Sequence, residues 1–246
     1  MPSIAELRAE TQPDWLLARP AAEHWAGRLY MRRVSPYLTR LLLPTPLPAN
    51  GVTALMIPAG LLAALCLTFS GVWLAVGTVL LVQLQLLLDC ADGEVARWRK
   101  TFSPKGLYID QLAHYSTEAA LPAALGVRAD GGWGSIGGWT ALGLLTSVLI
   151  LLLKSETHLV GYALNRSGRL PAENEAADSP ATPRLLPAVR PFQAIEASLL
   201  MLAAAVADEL AGGLGWSRGL LIALAAAAGV AVAGHLAAIL ASNRLR

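Results

Sequence analysis

Apolar positions along this chain fall in long runs separated by short polar breaks. The runs cover Val52–Phe69, Val72–Ala91, Leu107–Val127, Ile136–Lys154, Ala194–Ala211 and Leu220–Ala241. Each approaches or exceeds the about 20 apolar residues that a helix needs to cross a bilayer. The pattern predicts six membrane-spanning helices. Ser70–Gly71 reads as a tight turn between the first two, and residues 128–135 (RADGGWGS) as a glycine-rich loop between the third and fourth. Residues 171–183 (PAENEAADSPATP) read as a polar linker with too little apolar surface to fold alone.

The expected fold class is therefore all-α: a polytopic membrane protein with six transmembrane helices. Residues 1–50 form an N-terminal segment on the cytoplasmic side, and residues 51–246 the six-helix domain, with 171–183 as a cytoplasmic linker. Composition agrees. Hydrophobic residues make up 55% of the chain and charged ones 15%, against roughly a quarter in soluble domains. The mean hydropathy is +0.51. Cys66 and Cys90 sit in or beside apolar runs without metal-ligand spacing and read as small apolar fillers. Glu6, Glu10 and Asp14 interrupt the first 20 residues, which therefore do not read as a secretory signal.

Charge fixes an orientation. Residues 1–50 hold six Lys and Arg, 97–105 four, 154–190 five and the tail two, so 17 of the 19 share the side of the termini. Only Arg128 and Arg218 fall opposite. Basic residues stay on the cytoplasmic side, so both termini are expected there, in the inner (cytoplasmic) membrane. The net charge of +2 is too small to identify a partner, and no nucleic acid is expected. Residues 20–43 (PAAEHWAGRLYMRRVSPYLTRLLL) mix Trp25, Leu29 and Tyr30 with Arg28, Arg32, Arg33 and Arg40. Such a segment suits an amphipathic helix in the headgroup layer of anionic membrane lipid; simple juxtamembrane anchoring accounts for it equally.

The chemistry lies in residues 89–114 (DCADGEVARWRKTFSPKGLYIDQLAH). On a helix, Asp89, Asp92 and Ala96 share one face, as do Asp110, His114 and Glu118. The two helices are expected to be antiparallel neighbours joined by a loop of roughly ten residues. Their acidic faces then meet in one cavity facing the cytoplasm. Three carboxylates there repel one another and lose hydration, which two divalent cations relieve; oxygen ligands favour Mg²⁺ or Mn²⁺. Arg97 and Lys105 offer charge to phosphate oxygens, and Gly93 leaves backbone open to a ligand. Salt bridges of Asp92 with Arg97, or Asp89 with Lys105, are the structural alternative.

The spacing Asp89-x2-Asp92-Gly93-x2-Ala96-Arg97-x8-Gly106-x3-Asp110-x3-His114 resembles the signature of the CDP-alcohol phosphotransferases, which ends in aspartate where this chain has His114. Asn50 and Thr53, in PANGVTALM, resemble the family's Pro-Asn-x-x-Thr, with Ala49 replacing proline. The resemblance implies a CDP-linked donor, an acceptor hydroxyl that attacks the β-phosphorus, and release of CMP. It implies two divalent cations held by Asp89, Asp92 and Asp110, with His114 at the fourth position. Gly93, Ala96, Arg97, Gly106, Asn50 and Thr53 then surround the nucleotide. CDP-diacylglycerol with a small hydroxyl acceptor is the expected pair. A soluble CDP-alcohol with a lipid acceptor is the alternative, along with an inactive relative or a transporter. The family also implies a homodimer, which the small residues of ALAAAAGVAVAGH (223–235) permit.

His114 can act as base, with Asp110 beside it, or as a metal ligand. Glu118 either orients it, replaces the missing oxygen ligand or forms a local ion pair. Gln85 either reaches the nucleotide or bonds a neighbouring helix. Lys154, Glu156, Thr157 and His158 either line an acceptor pocket or cap the fourth span. Arg184 and Arg190 either bind an acceptor phosphate or anchor the fifth. His235 is expected to be a packed or hydrogen-bonded residue, and His24 to be interfacial.

Overall fold

The structure, a computed structural model, describes residues 1–13, 25–168 and 192–242. His24, residues 171–183, Arg184, Arg190 and the basic tail lie outside the described residues. Among those described, every regular element is helical. Helix α1 spans Ile4–Thr11, and a π-helical turn at Gly27–Met31 leads into α2, Arg32–Leu42. Helices α3 (Ala49–Leu67), α4 (Val72–Arg99), α5 (Pro104–Asp130), α6 (Gly138–Arg166), α7 (Ala194–Ala211) and α8 (Gly215–Ala241) follow.

Each of the six apolar runs has become one of the helices α3 to α8. Four of these, α3, α4, α6 and α8, are long and apolar enough to cross a membrane. The others are not, for a readable reason. Helix α5 carries Lys105, Asp110, Glu118, Arg128 and Asp130, and α7 carries Glu196, Asp208 and Glu209 within eighteen residues. The predicted loop between α4 and α5 is shorter than its charge suggested. Helix α4 continues past Ala91 to Arg99, so only residues 100–103 separate it from α5.

The chain divides into two compact units. The first comprises residues 1–63 and 77–117, the second residues 64–76 and 118–246. In the first, Val52, Met56 and Ala59 of α3 pack with Leu88 of α4 and Ala113 of α5, and Leu38 and Leu42 of α2 lie against them. Helices α3 and α5 approach closely because position 60 is glycine: a Cβ there would overlap the Thr117 side chain. Thr117 Oγ1 donates to Ala113 O (3.0 Å) and accepts from Gln85 Nε2 (2.9 Å). Buried Gln85 thus bonds a neighbouring helix and does not reach toward nucleotide; an unpaired amide in this place would cost several kcal/mol.

Helix α2 turns Ser35 and Thr39 inward and leaves Val34, Tyr37 and Leu41 exposed. Its protein-facing side combines these two hydroxyls with Pro36, Leu38 and Leu42, while apolar side chains also stand on its exposed side. Its C-terminal end is held by Arg99, whose Nη2 donates to Leu43 O and Thr45 O (both 2.9 Å) and whose Nη1 donates to Leu47 O (2.6 Å). Guanidinium N–H groups thereby satisfy carbonyls that a helix end leaves unpaired.

In the second unit, α5 and α6 meet at two glycines. A Cβ on Gly143 would lie 2.5 Å from Pro122 O, and one on Gly126 2.6 Å from Trp139 O. Small residues are what allow helix backbones in a membrane to come so close. Asp130 Oδ2 accepts from Gly137 N (2.8 Å) and Thr140 N (2.7 Å) at the start of α6, and Asp208 Oδ1 accepts from Trp216 N (2.8 Å) at the start of α8. Two further polar contacts join the helices: an ion pair of Lys154 Nζ with Glu118 Oε2 at 2.6 Å, and a hydrogen bond between His235 Nδ1 and Glu156 Oε2 at 3.0 Å. His235 is thus the hydrogen-bonded residue expected of it. Glu118 forms an ion pair, and Lys154 and Glu156 of α6 find partners on α5 and α8.

The two-glycine contact yields a prediction. Gly143→Leu should destabilise the second unit by about 1–3 kcal/mol through overpacking, seen as a lowered unfolding midpoint in detergent, whereas Gly138→Ala, with open space around it, should leave the midpoint unchanged.

Candidate metal and phosphate site

The motif is split across a helix end and a helix start. Ser103 caps α5: its Oγ accepts from Gly106 N at 3.1 Å, and Pro104 occupies the first helical position, where its missing N–H costs nothing. The short break turns the chain sharply, so the end of α4 and the start of α5 flank one cleft of about 630 Å³. Asp89, Asp92, Gly93 and Ala96 line it from α4, Gly106 and Asp110 from α5, and Asn50 and Thr53 from α3. The three aspartates face a common space.

Within it, one oxygen each of Asp89 and Asp110 and one nitrogen of His114 lie within 4.8 Å of one another. His114 Nε2 is 3.4 Å from Asp110 Oδ1 and 3.6 Å from Asp89 Oδ1. An imidazole nitrogen facing two carboxylates either donates a proton to them or joins them as a ligand to a cation. Two carboxylates and an imidazole within this spacing form a donor set that suits a divalent metal, with the imidazole tilting it toward Mn²⁺. Neither of the salt bridges weighed above, Asp92 with Arg97 or Asp89 with Lys105, occurs among the described ion pairs.

Asp92 stands outside that three-residue cluster. Its Oδ2 accepts from Thr53 Oγ1 at 2.5 Å, and the same hydroxyl lies 3.1 Å from Ala49 O. Thr53 therefore orients Asp92 from the neighbouring helix. Asn50 Nδ2 donates to Ser103 Oγ at 2.9 Å, locking α3 to the first turn of α5. Gly106 is required here for space: a Cβ would lie 2.6 Å from Asn50 Oδ1. Small side chains at 93, 96 and 106 keep the cleft floor open.

Arg97 does not line the cleft. Its Nε donates to Thr11 O at 2.6 Å, and its two Nη atoms lie 3.1 and 3.2 Å from where a Cβ on Gly93 would stand. It stands beside Gly93, which does line the cleft. Glu118 is paired with Lys154 and is not part of the Asp89–Asp110–His114 cluster.

Sequence reasoning missed two residues. Ser103 was legible, since Ser-Pro before a periodic segment is a helix-start signal. Glu94 is fully buried and accepts from Gln12, Ser35 and Thr39. Its only signal was an acid on the opposite face of α4 from Asp92.

A family model described as CDP-alcohol phosphatidyltransferase matches residues 47–233, well over half of the chain. No curated protein matches it.

The geometry predicts cation binding that depends on the clustered residues. Titrated with Mn²⁺ and followed by electron paramagnetic resonance, Asp110→Asn should bind at least about tenfold more weakly than the parent protein, a loss on the scale of a removed charged ligand. Lys105→Ala should bind as the parent does.

Proposed function

We propose a specific reaction for this chain, which belongs to the CDP-alcohol phosphatidyltransferase family: transfer of a phosphatidyl group from CDP-diacylglycerol to the hydroxyl of a small polar acceptor, with release of CMP. The family is one of transferases that move a substituted phosphate from a CDP-alcohol in phospholipid synthesis. The observation that carries the reading is the shared cleft. Asp89, Asp92 and Asp110 line it together, and an imidazole stands beside two of them.

Asp89, Asp92, Asp110 and His114 would hold two divalent cations, Mg²⁺ or Mn²⁺, which when bound neutralise charge on the pyrophosphate oxygens and on the leaving CMP. The remaining work belongs to the chain. Open backbone at Gly93 and Gly106 lets the nucleotide approach, and Asn50 and Thr53 fix the α3 side of the cleft. The acceptor oxygen forms its bond to the β-phosphorus as the bond from that phosphorus to the CMP oxygen breaks. The acceptor's proton passes to His114 or Asp110, the groups closest to the cluster able to take it. His114 thereby fills the place of the family's final aspartate, as base or as ligand.

The membrane setting follows the same proposal. Helices α5 and α7 cross the membrane as α3, α4, α6 and α8 do, their charges met by protein partners such as Lys154 for Glu118 and the Trp216 N–H for Asp208. The exposed Val34, Tyr37 and Leu41 of α2 sit in the headgroup layer on the cytoplasmic side, toward which the cleft opens. Donor lipid reaches the cleft laterally and acceptor from the cytoplasm. A homodimer, which the family resemblance implies and the small residues of 223–235 permit, belongs to the same proposal.

The test is CMP release by purified protein from CDP-diacylglycerol with a panel of hydroxyl acceptors and Mn²⁺ or Mg²⁺. His114→Ala should lower turnover by at least about 10²-fold, the scale of a lost general base or ligand, whereas His114→Asp should keep activity. Full activity in the alanine form would remove the role given to His114. Turnover with a soluble CDP-alcohol and a lipid acceptor, but none with CDP-diacylglycerol, would replace the donor assignment.

A further inference from the structure

The segment preceding residue 47 is outside the family match, yet it makes four of the hydrogen bonds that hold the α4 half of the motif. Three converge on Glu94, whose side chain is fully buried. Its Oε1 accepts from Gln12 Nε2 at 2.8 Å and from Ser35 Oγ at 2.5 Å, and its Oε2 accepts from Thr39 Oγ1 at 2.6 Å. The fourth is the Arg97 Nε bond to Thr11 O at 2.6 Å.

These bonds have a direction. Gln12 Nε2 also reaches Arg32 O at 2.9 Å, and Arg8 Nη2 reaches Arg33 O at 3.0 Å, so α1 is fastened to α2 as well as to α4. Thr11 is itself buried, its hydroxyl bonded to Leu7 O at 2.7 Å. Its carbonyl is among the last of α1, where helix carbonyls lack intrahelical partners and carry partial negative charge. That carbonyl takes the Nε of Arg97 and fixes the plane of the guanidinium. The Nη atoms are then turned toward Gly93, which lines the cleft. A guanidinium presents its N–H groups as a rigid fork, so fixing one nitrogen fixes the others.

We infer that α1, latched by the Gln12–Glu94 bond, is a positioning element that orients Arg97 for the pyrophosphate of a nucleotide bound against Gly93. Glu94, Gln12 and the Thr11 carbonyl act through Arg97 and touch no substrate. The inference deepens the proposed reaction and rests on it for the identity of the ligand.

The experiment measures the dissociation constant of CDP, in the presence of Mn²⁺, for full-length protein and for Gln12→Ala, Arg97→Lys and the double variant. CMP release and hydrogen exchange over residues 4–12 are followed in the same samples. Gln12→Ala should weaken CDP about tenfold and expose residues 4–12 to exchange, while the protein stays monodisperse. In the Arg97→Lys background the same substitution should add less than about twofold, because both changes remove one interaction. Glu94→Gln, which keeps the side-chain shape, should weaken CDP in the same direction and serves if Gln12→Ala does not fold. Unchanged CDP affinity with lost protection, or fully additive effects in the double variant, would overturn the inference. If the parent protein binds CDP as described but releases no CMP from any donor, the proposed reaction fails and the positioning role stands. If it turns over while Gln12→Ala and Glu94→Gln bind CDP normally, the reverse holds. Absence of CDP binding to the parent protein would sink both.

Discussion

Carboxylates gathered at the edge of an apolar bundle must be matched by positive charge or by hydrogen-bond donors. The first unit of this protein meets that constraint in two ways on opposite faces of one helix. On one face of α4, Asp89 shares a cluster with Asp110 and His114, which suits a cation. On the other, Glu94 is surrounded by an amide and two hydroxyls and carries no chemistry of its own. The difference between the faces is the difference between a site and a fastening. Donors already in place make Glu94 a structural anchor, whereas aspartates facing an open cleft remain available for a ligand.

The pieces around the cleft serve the same end from different helices. Thr53 and Asn50 reach from α3 to Asp92 and Ser103, and the Gln85–Thr117 bond with Gly60 sets the approach of α3, α4 and α5 beneath it. Arg99 ties the end of α2 to the same helix that bears the aspartates. The Asn50–Ser103, Thr53–Asp92 and Gln85–Thr117 bonds thus tie the motif's two halves together through α3 and α5. That rigidity is what a pyrophosphate site requires, since displacement of a ligand by an ångström weakens both binding and turnover.

Much of this was legible in the residues. The six apolar runs mark α3 to α8, and four of them, α3, α4, α6 and α8, are long and apolar enough to cross a membrane because their apolar stretch is nearly uninterrupted. The three- and four-residue spacings of Asp89, Asp92 and Ala96 put them on the cleft face, and the family follows from the motif. Other features were not readable. The helical continuation to Arg99 was hidden by its charges, which read as loop. The true partners of Arg97, Glu94, Glu118 and Gln85 depend on which helices meet, and periodicity along one helix does not carry that information. The Arg97 contact is the clearest case, since its partner is a backbone carbonyl 86 residues away with no side-chain signature.

The central claim is that Asp89, Asp110 and His114 bind a metal together with the donor's pyrophosphate. A structure of the protein with Mn²⁺ and CDP, with anomalous scattering recorded at the manganese edge, tests it most directly. The account predicts a manganese peak in coordination contact with an oxygen of Asp89 and of Asp110 and next to His114 Nε2, with CDP phosphate oxygens completing the shell. Manganese elsewhere, or CDP bound with these side chains turned away from it, would contradict the account.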